Sequence, residues 1–191
     1  PQQWRAMAPV QLQALQAVQV GALQAQQLNA LTPAQIQSLA PLQWQALTPT
    51  QVAALNPTQW QALTPAQWSA LRADHIVVLN TPQLQALRPE LIAAFNPTQI
   101  NALQPNQIIV LQTPQVAALG TAQIWSFSNA QLQALTPTQI GAIRSVPLGT
   151  LLPLLSAEQI QGLGKAQLAG VNPNQLRQLS NAQTQAVLAA R

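Results

Sequence analysis

The sequence predicts an all-α protein: an α-solenoid of short two-turn helices, one per eight-residue repeat and about three per superhelical turn. Three observations predict this fold: a glutamine that recurs every eight residues, a helix-start signal in most repeats, and an apolar face at fixed repeat positions. Such short units bury their apolar side chains only by stacking on one another.

The glutamine defines an eight-residue repeat, here called an octad, along the 191-residue chain. It occurs at Gln3, Gln11, Gln19, Gln27, Gln35, Gln43, Gln51, Gln59, Gln67, Gln83, Gln99, Gln107, Gln115, Gln123, Gln131 and Gln139. His75 and Leu91 interrupt this series. It resumes in a shifted phase at Gln159, Gln167, Gln175 and Gln183. With the glutamine placed fourth, the octad is cap-Pro-x-Gln-apolar-x-Ala-Leu, as in residues 48–55.

Most octads begin with residues that start a helix. Thr, Asn or Ser stands at the cap, proline often follows, and glutamine comes three residues after the cap, as in Thr32, Pro33 and Gln35. This spacing predicts a capping box with proline at the first helical position. Because proline also stops the preceding helix, and helices this short are unstable alone, each unit depends on its neighbours.

At about 100° per residue, the cap, glutamine, fifth and eighth positions share one arc, the predicted buried face. The fifth position holds Ile36, Val52, Trp60, Ile100 and Ile140. The eighth holds leucine, with Phe95 and Phe127 as larger substitutes. We expect a half-buried glutamine amide that closes the capping box and donates to carbonyls at the end of the previous helix.

The sixth position indicates a longer period of 24 residues. One series, taken every third octad, is mostly glutamine: Gln13, Gln37, Gln61, Gln85, Ile109 and Gln133. The next series is mostly small: Gly21, Gln45, Ser69, Ala93, Ala117 and Gly141. This alternation predicts three helices per superhelical turn. A β-solenoid is the competing fold, but proline in most repeats would remove a ladder hydrogen bond each time.

We expect one octad-repeat solenoid over residues 1–191, interrupted by an irregular segment at residues 144–155. That segment lacks the glutamine and shifts the phase by four extra residues. Its leucines can still pack inward, and the alternatives are a hinge, a kink or a docking element.

The composition argues against an enzyme. Three acidic residues, one histidine and no cysteine leave few groups for acid–base, nucleophilic or metal chemistry. We therefore expect no catalytic residue, no metal, no cofactor and no small-molecule substrate. The seven basic residues are scattered, which argues against nucleic-acid binding. Polar residues interrupt every apolar run, so no membrane span is expected.

Four residues that depart from the repeat pattern are functional candidates. His75, beside Asp74, is interpreted as a substitute for the capping glutamine rather than as a ligand, since it can also donate or accept a hydrogen bond. Val77, Ile109 and Trp125 place apolar side chains at the normally polar sixth position. They are the candidate partner-binding residues, and the alternative is that they cover a neighbouring octad.

The octads resemble two known repeat families. Residues 48–55 resemble only the opening helix of a TAL-effector repeat, so DNA reading does not carry over. Units such as Thr121-Ala122-Gln123-Ile124 and residues 129–135 more closely resemble the octapeptide (TTAQVQAL-like) arrays of bacterial secreted and surface proteins, sometimes labelled adhesion or heme-utilisation repeats. That resemblance implies an extracellular or cell-surface bacterial array. Heme binding is not expected, because His75 is isolated.

The predicted function is a rigid spacer or presenting scaffold in a larger bacterial surface or secreted protein. The alternative is a protein- or peptide-binding solenoid, either an effector or an adhesin. The expected partners are another protein, or a second copy joined end to end through apolar ends at Trp4 and Val187.

Overall fold

The computed structural model describes residues 2–190, and within these residues every regular element is a helix. This excludes the β-solenoid for the described part of the chain. The molecule divides into two compact units, the first ending at Leu103 and the second beginning at Gln104. Each unit is a helical solenoid. That residues 1–191 form one continuous solenoid stays a prediction.

The first unit contains thirteen helices among the described residues. They are α1 Gln2–Ala6, α2 Pro9–Gln13, α3 Ala17–Gly21, α4 Ala25–Asn29, α5 Pro33–Ser38, α6 Pro41–Gln45, α7 Pro49–Ala53, α8 Pro57–Gln61, α9 Pro65–Ser69, α10 Ala73–Val77, α11 Thr81–Ala86, α12 Pro89–Ala93 and α13 Pro97–Ala102.

The second unit contains ten α-helices and one 3₁₀-helix, η1. They are α14 Pro105–Ile108, α15 Thr113–Ala117, α16 Thr121–Trp125, α17 Asn129–Ala134, α18 Pro137–Ala142, α19 Leu148–Leu151, η1 Leu152–Leu154, α20 Ala157–Gln161, α21 Lys165–Leu168, α22 Pro173–Leu176 and α23 Asn181–Ala190.

The capping box explains why a helix begins in most octads. In α7 the cap residue Thr48 is extended, with φ −85° and ψ 155°, and Pro49 begins the helix. The backbone N–H of Gln51 donates to Thr48 Oγ1 at 3.3 Å, and the backbone N–H of Thr48 donates to Gln51 Oε1 at 2.6 Å. Octads whose cap has no side-chain oxygen keep only the glutamine half, as at Ala40, whose N–H donates to Gln43 Oε1 at 2.7 Å.

The predicted buried face is confirmed at the fifth and eighth positions. Ile36, Val52 and Ile100 are fully buried, and Leu47 is 1% exposed. The expectation of a half-buried glutamine is wrong for the regular octads, where the side chain is buried, as in Gln59 at 1% exposure. The cap residues lie outside this face, since they are exposed or half-buried.

Helices stack on the third helix along the chain, which confirms the three-helix period within each unit. In the first unit α2 packs on α5, α3 on α6 and α10 on α13, and in the second α15 packs on α18. Small residues at the sixth position lie close to the next layer. A Cβ added to Gly21 would lie 2.6 Å from the carbonyl oxygen of Ala46, and Ser69 Oγ donates to the corresponding carbonyl of Ala94 at 3.3 Å.

A tryptophan cluster fills part of the first unit's core. The ring centroids of Trp44 and Trp60 are 6.3 Å apart, those of Trp60 and Trp68 are 5.8 Å apart, and those of Trp68 and Phe95 are 4.5 Å apart. The three indole N–H groups are buried without a hydrogen-bond partner. Packing of the aromatic rings therefore stabilises the first unit, whereas the unpaired indole N–H groups destabilise it.

The irregular segment at residues 144–155 supplies two short elements, α19 and η1, in twelve residues. η1 packs on α17 and α20 packs on α23, so η1 occupies the place of a separate octad in the stack. The prediction of four inserted residues is therefore wrong. Two full octads need sixteen residues and the segment has twelve, so four residues are missing rather than added.

Candidate functional site

The buried glutamines, here called ladder glutamines, are the most regular polar feature of the molecule. Gln59 Nε2 donates to the backbone carbonyls of Leu28 at 2.9 Å and Leu31 at 2.8 Å. Its Oε1 accepts from the backbone N–H of Asn56 at 3.0 Å. One amide thus caps the start of its own helix and the end of an earlier helix, and both sets of backbone groups would otherwise be unpaired.

The same geometry recurs through the first unit. Bonds to carbonyls 28 to 31 residues earlier are made by Gln35, Gln43, Gln51, Gln59, Gln67, Gln83 and Gln99. In the second unit Gln139 and Gln183 follow the same spacing. The expectation that the amide reaches the previous helix is wrong in register. The amide reaches the helix four octads earlier. Three octads complete one superhelical turn, so the helix end that lies beside the glutamine belongs to the octad before that turn.

His75 takes the place of a ladder glutamine, as the sequence predicted. Its Nδ1 accepts from the backbone N–H of Arg72 at 3.3 Å, and its Nε2 lies 2.8 Å from the carbonyl oxygen of Leu47. These partners correspond to those of a glutamine at this position and require a neutral ring with the proton on Nε2. Burial lowers the pKa of His75, which favours this neutral form, although the bond to Leu47 opposes the shift.

Arg72 reinforces the same junction from the surface. Its guanidinium donates to the backbone carbonyls of Gln45 and Leu47, and it forms an ion pair with Asp74 at 2.9 Å. The hydrogen bond from Arg72 lowers the pKa of Asp74. Asp74 Oδ1 lies 4.0 Å from His75 Nε2. Arg72, Asp74 and His75 therefore form one polar cluster, in which the His75 ring is buried and the other two side chains are exposed.

Leu91 is the other substituted position in the first unit. It cannot replace a glutamine chemically, but Arg88 Nη2 donates to the backbone carbonyl of Leu63 at 2.8 Å. Both octads that lose the glutamine in this unit therefore carry an arginine at the cap position. The sequence contains this correlation, but reading the arginines only as scattered charges does not reveal it.

The structure places the three candidate partner-binding residues on the surface. Val77 is 42% exposed, Ile109 is 53% exposed and Trp125 is 51% exposed. Ile109 is the C-cap residue of α14, and α14 stacks on α17. Trp125 lies in α16. Ile109 and Trp125 are therefore not on a stacked pair of helices.

Other exposed apolar residues, which are not among the predicted candidates, lie at the third octad position. Val18 is 70% exposed on α3 and Leu42 is 69% exposed on α6, and these two helices stack. Val10, on the neighbouring octad, is also exposed. Polar residues at the same position elsewhere, such as Thr50, also indicate that this position faces solvent.

The ends named as association surfaces differ from each other. Trp4 is half-buried, which leaves part of an apolar side chain accessible. Val187 is fully buried in α23, which packs on α20, so it does not provide an apolar end surface. That part of the prediction is wrong because α23 packs its Val187 side against α20, and the exposed apolar residue of this helix is the adjacent Leu188, at 53% exposure.

Residues 2–190 contain no cluster of three or more metal-ligating His, Cys, Asp or Glu side chains. Among the same residues, no helix has both the length and the apolar character needed to cross a bilayer.

The comparison with known families matches the repeat pattern. A family model described as the ALTTAQ repeat matches residues 108–145, which lie in the second unit. The match supports a repeat of the TTAQ-like kind. No curated protein matches the chain.

Proposed function

We propose that the chain is a non-enzymatic structural module that spaces or presents other parts of a larger bacterial surface or secreted protein. The observation that carries this proposal is the ladder of buried glutamines. Each amide ties an octad to the one four positions earlier, while the apolar side chains stack every third octad. Such coupling resists bending between layers, which is the property a spacer requires.

The bacterial and extracellular setting is part of this proposal and rests on the resemblance of the octads to surface-protein arrays; the ALTTAQ match supports the repeat character of the module. The near-absence of charge also fits a module whose exposed face has little chemistry of its own. The proposed partners are the domains that the module separates, another protein, or a second copy at an end.

The spacer proposal is tested by removing one whole layer from the first unit. Because the chain has no cysteine, spin labels can be placed at Ala6→Cys and Asn101→Cys, both exposed. Deletion of residues 40–63 removes three octads, and it should shorten the distance between the labels by about 8–10 Å, one helix spacing. An unchanged distance, or loss of helical structure, would contradict the proposal.

A protein-binding module is the second candidate, supported by the exposed apolar residues Val77, Ile109 and Trp125. A variant with all three changed to Gln tests it in the full-length protein. The spacer role predicts that every interaction of the parent protein persists. A binding role predicts that a partner recovered with the natural chain is lost with the variant, while the helical content is unchanged.

A further inference from the structure

A groove of about 480 Å³ opens in the second unit near the irregular segment. It lies along three successive parts of the stack: α15, α18, and the α20–α21 region. Its apolar lining includes Pro114, Ala117, Pro137 and Gly141. A volume of this size falls in the range of ordinary ligand sites, which are mostly apolar with a few directed polar groups.

Two glycines lie in the groove wall where other lining residues approach them closely. A Cβ added to Gly162 would lie 2.3 Å from Cγ of Pro137, and one added to Gly141 would lie 1.6 Å from Nε2 of Gln167. A side chain at either position would therefore displace Pro137 or Gln167, which both line the groove. Both glycines flank the irregular segment, where the twelve-residue passage changes the spacing between octads.

Arg144 lines this groove, and its environment differs from that of the other cap-position arginines. Arg72 and Arg88 also stand where the ladder glutamine is lost, and each donates to carbonyls at a helix end. Arg144 precedes Pro147, where the glutamine is lost again. Among the described residues, however, its guanidinium has neither a hydrogen-bond acceptor nor an ion-pair partner, and it is exposed.

Gln167 also leaves its ladder role at the groove. In the shortened register Gln159 Nε2 donates to Leu132 and Leu135, 27 and 24 residues earlier. The same spacing would direct Gln167 to the carbonyls of Ile140 and Ile143. Instead its Oε1 accepts only from the backbone N–H of Gly164 at 2.6 Å, and its Nε2 lies against Gly141 with no acceptor in the described structure.

We propose that this groove binds the C-terminal carboxylate of an extended peptide. Arg144 supplies a guanidinium that can hold a carboxylate with two parallel hydrogen bonds, and the Gln167 amide adds a further donor. No acidic side chain lines the groove, so the charge favours an anion. The proline rings and small residues provide apolar contacts for the last side chains of the peptide.

The length of the groove favours a peptide over a compact organic acid. Stacked helices are spaced by about 8–10 Å, so a lining that crosses three parts of the stack extends roughly 16–20 Å. An extended chain covers about 3.4 Å per residue, so about five residues fit along this length. A compact acid would contact only the part of the groove beside Arg144.

The experiment uses the whole chain and a mixture of acetylated pentapeptides with aliphatic C-terminal residues. One preparation has a free C-terminal carboxylate and the other a C-terminal amide, and binding is followed by the NMR shifts of Gly141, Gly162 and the Gln167 side-chain amide. We expect the acids to bind at least about tenfold more tightly than the amides. Acetate, tested alone, should not reproduce the shifts at Gly162.

Two substitutions make the test specific. Arg144→Gln should abolish the difference between acids and amides, whereas Arg177→Gln, at an exposed arginine outside the groove lining, should keep it. Gly141→Ala should weaken binding without unfolding the protein, because the new Cβ meets only the flexible end of Gln167. Circular dichroism checks the fold of each variant.

Three results would overturn the proposal: equal binding of acids and amides, no shift with about 10 mM of either peptide preparation, or unchanged acid preference in Arg144→Gln. Saturation by acetate with the same shifts would show that only a small carboxylate is recognised, and it would also overturn the peptide assignment. None of these results bears on the spacer role, which the layer deletion in the first unit tests separately.

Discussion

Arg88 Nη2 donates to the backbone carbonyl oxygen of Leu63 at 2.8 Å. Ladder glutamines bind the carbonyl of the leucine 28 residues earlier, as Gln83 does with Leu55 and Gln99 with Leu71. Leu63 is therefore the carbonyl that a glutamine at position 91 would bind. The arginine side chain restores the lost bond from a different octad position.

Arg88→Met should destabilise the protein by about 1.5–3 kcal/mol, the range for a hydrogen bond to a charged group. Adding Leu91→Gln in this background should recover most of the loss, because the new amide can reach Leu63. Urea unfolding of the natural chain, both single variants and the double variant gives the coupling between the two positions. If Leu91→Gln has the same effect with and without Arg88, the replacement relationship is absent.

Gln59→Met should cost about 3 kcal/mol in unfolding free energy. The apolar side chain keeps similar length but leaves the carbonyls of Leu28 and Leu31 without their donor, and unpaired buried groups are costly. Gln11→Met is the matched control, because Gln11 is exposed and its amide makes only the local bond to Ala8. A similar cost at both positions would mean that the long-range bonds contribute little.

The stability of the natural chain should fall in mild acid because of His75. Its pKa in the folded state lies below the ordinary value of 6.5, owing first to burial, so the unfolded chain binds the proton more readily. The contribution is present above pH 6.5 and declines as the pH falls below that value toward the folded-state pKa. Of the neighbouring charges, Arg72 lowers this pKa further and Asp74 raises it.

The comparison that isolates this effect is His75→Gln, which restores the common ladder residue. The difference in unfolding free energy between the two proteins, measured from about pH 8 to about pH 5, should change by up to about 1.4 kcal/mol per pH unit. Parallel curves for the two proteins would show that His75 does not bind a proton differentially on unfolding.

Gly21→Ala should destabilise the first unit by about 1–3 kcal/mol, because the added Cβ would lie 2.6 Å from the backbone oxygen of Ala46. Gly170→Ala provides the control. A Cβ at Gly170 would meet nothing within 4 Å, so stability should stay unchanged or rise by up to about 1 kcal/mol. Thermal unfolding of both variants measures the contrast, and equal midpoints would argue against the close approach of α3 and α6.

The sequence predicts the hydrogen bonds within each octad but not the long-range hydrogen bonds between octads. Thr48, Pro49 and Gln51 predict a helix start because the capping box depends on neighbours three residues apart. The fifth-position residues, such as Trp60, predict burial through periodicity. Which earlier carbonyls receive the Gln59 amide depends on the superhelical turn, and the octad alone does not encode that geometry.

The candidate sites show the same division. Val77, Ile109 and Trp125 are exposed, as the helix angle at the sixth position indicates, and their role in partner binding stays a prediction. The groove beside Arg144 could not be predicted, because it lies where two elements of the stack are formed by twelve residues instead of the sixteen residues of two octads. The loss of glutamine after an arginine at the cap was nevertheless present in the sequence as a signal.

The most direct test of the glutamine ladder is an NMR measurement on the natural chain with its glutamine side-chain amides labelled with ¹⁵N. The structure predicts slow hydrogen exchange of the Gln59 side-chain amide and nuclear Overhauser contacts from it to Leu28 and Leu31. Rapid exchange, with contacts only to residues of its own octad, would contradict the stacked arrangement.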